Sequence, residues 1–556
     1  MRRWLFLAAL ALTASPAAAQ DMGGSDGPMQ DAAGQPAPDQ PAPRAQPQKY
    51  IAPYIEIGQA LDADLTYDDV LTYSEVAAGV DAGIATRSTQ AQLSYRYERD
   101  IGWGKHLNDS DYHQGLARAA VGVAPGVSIE GGGLAARARS DIRSAAPAAS
   151  NPDGDNLSQV YAAYVGPTVA THVGILGVSG SYRFGYTKVE SPSYIPLAAD
   201  QPRLDLFDSA ISNTAQASVG VAPGDVLPVG ITVSGGWDRE DAHQLDQRYQ
   251  GTFARADLLF PVSRTLALEA GAGYEKITIG QRDALVDADG SPVTDASGRF
   301  VTDKSSPRRI AYRTDGLIYD GGVLWRPSPR TQLEAHVGRR YGGTSYAGSL
   351  TWQATRTVGA RVVVYDDVET FARQLRNGID GLPTSFLTGG NVFGNAFGGC
   401  TFGTSGDHPG GCLNDVFQSI SSSGYRARGV DAVIAATRGP VQMGFGVGYA
   451  RRHFYAPDTN ETFTINGVDD ESFYAQYFYN RALDARSSLG ANLYADYYDS
   501  GISGAAGVYS FGASGTYNRH FGRIDTTASL GVFTYDSRDI ENDVSAQALV
   551  SARYNF

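Results

Sequence analysis

Residues 263–276 read SRTLALEAGAGYEK, with apolar side chains at Leu266, Leu268, Ala270, Ala272 and Tyr274. The residues between them are Thr265, Ala267, Glu269, Gly271, Gly273 and Glu275. Successive side chains of a strand point to opposite faces, so this is a strand with one greasy face ending in an aromatic and one small or charged face. The plan recurs at 90–98, where Ala91, Leu93, Tyr95 and Tyr97 alternate with Gln90, Gln92, Ser94, Arg96 and Glu98. It recurs again at 178–186, where Val178, Gly180, Tyr182, Phe184 and Tyr186 alternate with Ser179, Ser181, Arg183 and Gly185.

Strand-like segments of this kind follow one another from Tyr50 to Phe556. Period-two alternation between turn signals gives 22 of them, with 20 to 24 as the range, and includes segments at 360–372 and 417–437. Connections after even-numbered segments are short turns: VAPGVS, APGDVLP, PVSRT, RPSPRT, TRGPVQ, LDARSS and HFGRID. Connections after odd-numbered segments include every long one, at 140–155, 190–206, 281–308, 373–416 and 456–469. A soluble sandwich has no reason to gather its long loops at one end. An outer-membrane barrel does, with short periplasmic turns and long extracellular loops. The fold expected is therefore all-β: a single transmembrane antiparallel β-barrel.

The first residues agree with that destination. MRRWLFLAALALTASPAAAQ has Arg2 and Arg3, an apolar run and an A-x-A site, the pattern of a secretory signal peptide over 1–19. Residues 20–49 are dense in Pro, Gln and Asp and read as a disordered leader, with the barrel over 50–556. No later run reaches the roughly 18 apolar residues of a membrane helix, while the chain carries 32 Tyr and 66 Gly. The net charge of -14 becomes -16 without Arg2 and Arg3, which disfavours nucleic acid as a partner.

The charges that share the small-residue face mark a wet lumen, because at mid-depth a charge facing lipid costs about 2 to 4 kcal/mol. Arg96, Glu98, Arg118, Arg183, Glu269, Glu275, Glu334 and His336 are the lumen-lining candidates, with Glu75 and Arg340 in the same phase. They could line a conducting pore or pair off to rigidify a closed one. Cys400 and Cys412, in the longest loop of an oxidising compartment, are expected to form a disulfide, with metal binding beside His408 as the alternative. Loop 373–416 could fold into the pore or cap it. Asp287, Asp289 and Asp295 hint at calcium but lack the Glu an EF-hand needs, and ordinary Asp-Gly and Ser-Gly turns explain them. Ser25 in GGSDG matches G-x-S-x-G, yet lies in the leader without the strand and helix that motif requires. A rim hydrolase using His113 or His453 is a remote option. No catalytic residue, metal or cofactor is assigned.

PYIEIGQALDADL (53–65) and VLTYSEVAAGVDAGIATRSTQAQLSYRYER (70–99) resemble the start of a group of outer-membrane β-barrel porins. Relatives of that group occur with exopolysaccharide and PEP-CTERM protein-sorting systems. The resemblance implies a porin-like channel or exporter for small solutes or polysaccharide. The alternative is a plugged barrel serving as a surface structural or adhesion protein. The expected surroundings are outer-membrane lipid, lipopolysaccharide and the barrel-assembly machinery. The final strand ends in Tyr554 and Phe556, which resembles the terminal signal that machinery reads.

Deleting Phe556 is expected to impair outer-membrane assembly without affecting secretion. Cell fractionation with heat-modifiable gel migration measures this, and normal assembly of the truncated chain would remove the terminal signal.

Overall fold

A computed structural model of the protein describes residues 48–556, apart from 67–68, 104–108, 140–156, 192–205, 388–391, 394–396, 419, 458–464, 503–506 and 538–539. The signal peptide, Ser25 and nearly all of the leader lie outside the described residues. The first half of the wall comprises β1 (Gln48–Asp64), β2 (Asp69–Ala85), β3 (Thr89–Trp103), β4 (Ser110–Ala124), β5 (Val127–Arg139), β6 (Leu157–Val173), β7 (Leu176–Glu190), β8 (Ser209–Val221), β9 (Gly230–Ala242), β10 (Arg248–Pro261) and β11 (Leu266–Gln281). Then come β12 (Arg309–Ser328), β13 (Thr331–Arg340), β14 (Gly343–Thr355) and β15 (Val358–Glu369). An inserted segment carries helix α1 (Phe371–Asp380) and a hairpin of β16 (Cys400–Phe402) and β17 (Gly410–Cys412). The wall resumes with β18 (Gly424–Arg438), β19 (Val441–Tyr455), β20 (Asp469–Asp484), β21 (Ser487–Asp499), β22 (Val508–Phe521), β23 (Ile524–Ser537) and β24 (Ile540–Asn555).

Leaving aside the β16–β17 hairpin, 22 strands form one sheet, each antiparallel to its neighbours. β15 pairs with β18 across the insertion, and β1 pairs with β24 from Tyr54↔Asn555 to Asp64↔Ser545. The sheet therefore closes on itself and has no edge strand. Phe556 extends the seam, its N–H donating to the Pro53 carbonyl at 3.1 Å. The 22 wall strands correspond one for one with the segments read from the sequence.

Among the boundaries that differ from that reading, two flank the insertion. The segment expected at 360–372 stops as a strand at Glu369, and α1 begins at Phe371. The one expected at 417–437 begins only at Gly424, because 413–423 belongs to the insertion. Residues 370–372, 415–418 and 420–423, beyond these two boundaries, are buried inside the barrel, where both faces of the chain are covered.

Connections sort by parity as the sequence implies. β4 and β5 are joined through Gly126 (φ 73°) and β18 and β19 through Gly439 (φ 58°). These residues adopt the left-handed conformation that tight antiparallel turns need and that glycine accepts without strain.

The two faces of the wall are chemically distinct. Outward-facing residues are large and apolar: Leu268 is 49% exposed and Val550 65%, and Tyr182, Phe184, Tyr274, Tyr449, Tyr509 and Phe511 join them. Their inward neighbours are covered, Ala267 at 9% and Leu549 at 4%. An apolar exterior on a sheet with no free edge is the form in which β-structure crosses a membrane, and the protein is an outer-membrane β-barrel.

Leu268→Arg is expected to destabilise the barrel by about 2 to 4 kcal/mol, the mid-depth cost of a lipid-facing Arg, and Ala267→Arg by less. Urea titration of the protein in lipid vesicles measures both, and the reverse order would invert the register.

Candidate functional site

The structure places all eight lumen candidates on the inner face; Arg96, Glu98, Arg118, Arg183 and Glu275 have partners of opposite charge, and Glu269 and Glu334 both meet the His336 ring. Arg96 on β3 reaches Glu56 on β1 at 2.6 Å and also pairs with Glu75 and Glu98. Arg183 on β7 meets Glu130 on β5 at 2.7 Å. Arg340 on β13 pairs with Glu275 on β11. His336 on β13 contacts Glu269 at 2.7 Å and Glu334 at 3.3 Å. Arg118 on β4 faces Asp380 of α1 at 3.7 Å.

Several of these contacts skip a strand, and the skipped strand presents a small residue. Glu130 is registered opposite Gly166 of β6, on the path to Arg183. Glu56, Ala77 and Glu98 form one row across β1, β2 and β3. A long side chain can lie flat over such a position and reach the second neighbour. The sequence showed the phase of these residues, but their pairing depends on which strands are adjacent.

The interior is occupied by the insertion. Phe371, Leu375 and Ile379 recur every fourth residue, placing them on one face of α1. All three are buried, in a cluster that includes Leu116, Leu134 and Val160 of the inner wall. The wall makes room with glycines: a Cβ on Gly132 would lie 2.8 Å from Ile379, and one on Gly185 would lie 3.1 Å from Arg376. Thr370 stands at the N-cap with extended backbone, and its hydroxyl donates to Glu240 of β9 at 2.9 Å.

Charges hold the helix at both ends. Arg373 lies between Glu369 at 3.4 Å and Asp238 at 3.7 Å, and stacks over the Tyr249 ring at 3.8 Å. At the other end Asp380 meets Arg183 at 3.3 Å, while Arg118 donates to the carbonyls of Asp380 at 2.7 Å and Leu382 at 3.0 Å. Asp415, farther along the insertion, accepts from Gln374 at 2.7 Å and from Tyr365 of β15 at 3.1 Å. Burial pushes its carboxyl above the usual range, opposed by the Arg452 guanidinium nearby.

The hairpin sits against the opposite wall. Cys400 and Cys412 are joined by a disulfide and face one another in the β16–β17 register. They rest on a glycine track of β19, where a Cβ on Gly446 would lie 2.8 Å from the Cys412 sulfur and one on Gly444 would strike the Phe402 ring. Phe402 stacks on Phe478 of β20 at 6.1 Å between centroids. The described residues of loop 373–416 therefore form an interior constriction rather than a cap. The sequence signal for α1, the spacing of Phe371, Leu375 and Ile379, was hidden because the preceding residues alternate as a strand.

Beneath the hairpin a cavity of about 580 Å³ reaches the short turns at the periplasmic end. Its lining includes Arg96, Asn480, Asp484, Asn492, Arg519 and Arg553. A second space of about 210 Å³ shares Arg96, Asn492 and Arg553 with it and ends on Cys400, Thr401 and Phe402.

The other candidates have structural surroundings. His113 faces outward, 2.6 Å from the Tyr95 hydroxyl and beside the rings of Tyr97 and Tyr161. His453 pairs with Asp469 at 3.0 Å. Asp287 accepts from the N–H groups of Asp289 and Ser291, and Asp295 from those of Ser297 and Arg299, as turn-forming aspartates do.

No protein-family model matches this chain, and no curated protein matches it. Among solved structures it is similar to the FrpB iron transporter from Neisseria meningitidis (F5-1 variant), at 8% identity over 91% of this chain and 82% of that one, with a TM-score of 0.41. The ferric-catecholate import receptor Fiu from E. coli K12 aligns at 10% identity over 90% and 81%, with a TM-score of 0.42. The alcaligin outer-membrane receptor FauA from Bordetella pertussis aligns at 12% identity over 90% and 76%, with a TM-score of 0.34. The fold assignment rests on the strand pairing above.

Asp380→Ala leaves Arg118 and Arg183 without their shared carboxylate, and breaking a buried pair of this kind costs about 3 kcal/mol. The expected result is faster proteolysis within 381–416 while heat-modifiable migration of the barrel persists. Limited digestion followed by mass spectrometry locates the cuts.

Proposed function

We propose that the protein is a gated passage through the outer membrane, closed at rest by its own segment 370–423. The observation that carries this reading is the polar cavity that runs from the periplasmic turns to the underside of the disulfide hairpin. Gln114, Asn480, Asn492, Thr516 and Asn518 lie along it beside the ion-paired Arg96. Such a lining suits small hydrophilic solutes, and the resemblance to barrels of exopolysaccharide systems adds a polysaccharide strand as a candidate cargo. Insertion by the barrel-assembly machinery and contact with lipopolysaccharide belong to the same reading.

A second reading is favoured by the packing of α1. Leu375 and Ile379 are fully buried against the wall, as in a permanent core. A segment fixed in that way would make the barrel a surface structural protein whose outer loops bind.

Planar-bilayer recordings separate the two. The intact protein is expected to conduct rarely, and replacing 373–416 by a short Gly/Ser linker should give a stable open channel. The open channel should weakly prefer cations, since the chain is net acidic while Arg96, Arg118 and Arg183 offset part of that field. The preference should fade at 1 M salt, where the Debye length is about 3 Å. A shortened protein that folds and does not conduct would establish the structural reading.

A further inference from the structure

Glu269, Gly322 and His336 form one row across β11, β12 and β13, with the glycine in the middle. A Cβ on Gly322 would lie 2.5 Å from the His336 ring. The imidazole therefore lies down over the side-chain-free position and reaches the Glu269 carboxylate on the far strand. Glu334 approaches from the same strand as His336, two residues earlier and on the same face. The result is a ring nitrogen, Nε2, that stands 2.7 Å from Glu269 Oε2 and 3.3 Å from Glu334 Oε1.

The opposite ring nitrogen is held separately. Nδ1 lies 3.1 Å from Asp320, which is itself fixed by Arg255 at 2.9 Å, and Arg255 is braced by Asp257. A carboxylate behind a histidine orients the ring and sets which nitrogen presents its lone pair. With Nδ1–H donated to Asp320, the lone pair of Nε2 faces two carboxylate oxygens. In that neutral tautomer three acceptors converge, a set that either a second ring proton or a bound cation would have to satisfy.

A proton on Nε2 serves this arrangement poorly. The hydrogen-bonding direction from Nε2 runs to Glu334, and Glu269 Oε2, although only 2.7 Å from the nitrogen, is buried without a hydrogen-bond partner. A single N–H cannot satisfy both carboxylates, whereas one metal ion can take all three donors. The donor atoms lie within 4.8 Å of one another. Two ligands of one tetrahedral ion with bonds of about 2.1 Å stand roughly 3.4 Å apart, a spacing that Glu334 meets at 3.3 Å and that Glu269, at 2.7 Å, would reach by a small outward shift of its carboxylate. Arg255 pairs with Asp257 and Asp320, and Glu269 and Glu334 converge on His336. The His336 side chain is only 9% exposed while that of Glu334 is 38% exposed, so the buried set has one wet flank from which an ion can enter.

We infer that Glu269, Glu334 and His336 form a binding site in the barrel lumen for a divalent first-row transition metal such as zinc, with Asp320 as the positioning residue behind the histidine. One nitrogen and two carboxylate oxygens leave room for water at the fourth position, and imidazole selects for such a metal over magnesium or calcium. This site lies in the wall at β11–β13 and does not depend on whether the passage opens.

The test uses the full-length, tag-free protein in detergent after chelator treatment. Co²⁺ is titrated by its visible absorption and Zn²⁺ by calorimetry, with heat-modifiable migration confirming that each variant is folded. One equivalent is expected to bind, with a Co²⁺ spectrum of low coordination number. His336→Gln and Glu269→Gln should each weaken binding at least tenfold, Asp320→Asn should weaken it about 10- to 100-fold without abolishing it, and excess Mg²⁺ should not compete. Unchanged binding in folded His336→Gln would place the metal elsewhere and overturn the proposal. So would the absence of saturable binding in the parent protein, which would leave His336 as a protonated member of an ion-pair network.

Discussion

A bilayer core holds no water to hydrogen-bond a strand's free N–H and C=O groups, so β-structure inside it must have no edge. The pairing of β1 with β24 meets that requirement, and the other features of the molecule presuppose it. Once the sheet is a ring, every residue is either lipid-facing or lumen-facing. The alternation of Leu268 with Glu269, or Val550 with Leu549, then assigns each side chain an environment. The ring also brings together strands that are remote in the chain. Ser551 of β24 donates to Glu56 of β1 at 2.6 Å, supporting the acidic side of the Arg96 cluster through a contact that exists only because the barrel is closed.

The inner face is organised by small residues as much as by charges. Gly166, Ala77 and Gly322 each occupy the middle of a three-strand row, leaving a shallow place over which a charged or aromatic side chain can lie. Gly132, Gly185, Gly444 and Gly446 do the same for the inserted segment. Glycine is unfavourable in a strand for its backbone entropy and its lack of packing surface. Its repeated use here is explained by what lies on top of it.

How far the sequence could be read follows from the range of each interaction. Strand number, closure and the short-turn end were legible because alternation and turn chemistry are local properties. The phase of Arg96, Arg183, Glu275 and His336 was legible for the same reason. Partners were not: Arg118 and the Asp380 carbonyl it binds are 262 residues apart, and no local pattern connects them. The boundary at Glu369 was obscured because a strand that alternates up to its end gives way at once to a helix whose apolar residues repeat every fourth position. Cys400 and Cys412 were an exception, since two thiols close in sequence in an exported chain suggest their own pairing.

The insertion touches the wall on two sides. Ile379 and Arg376 of α1 pack over Gly132 of β5 and Gly185 of β7, Leu413 packs against Gly378 of the same helix, and the hairpin that ends at Cys412 rests on Gly444 and Gly446 of β19. These contacts form a continuous beam across the barrel, from β5–β7 to β19. An empty cylinder of this many strands would flatten easily, because hydrogen-bonded strands hinge about one another at little cost. With the beam in place, the distance between the two sides is set by a helix, a disulfide hairpin and the glycines beneath them. The protein therefore carries its own internal brace, which fixes its cross-section against the lateral pressure of the membrane around it.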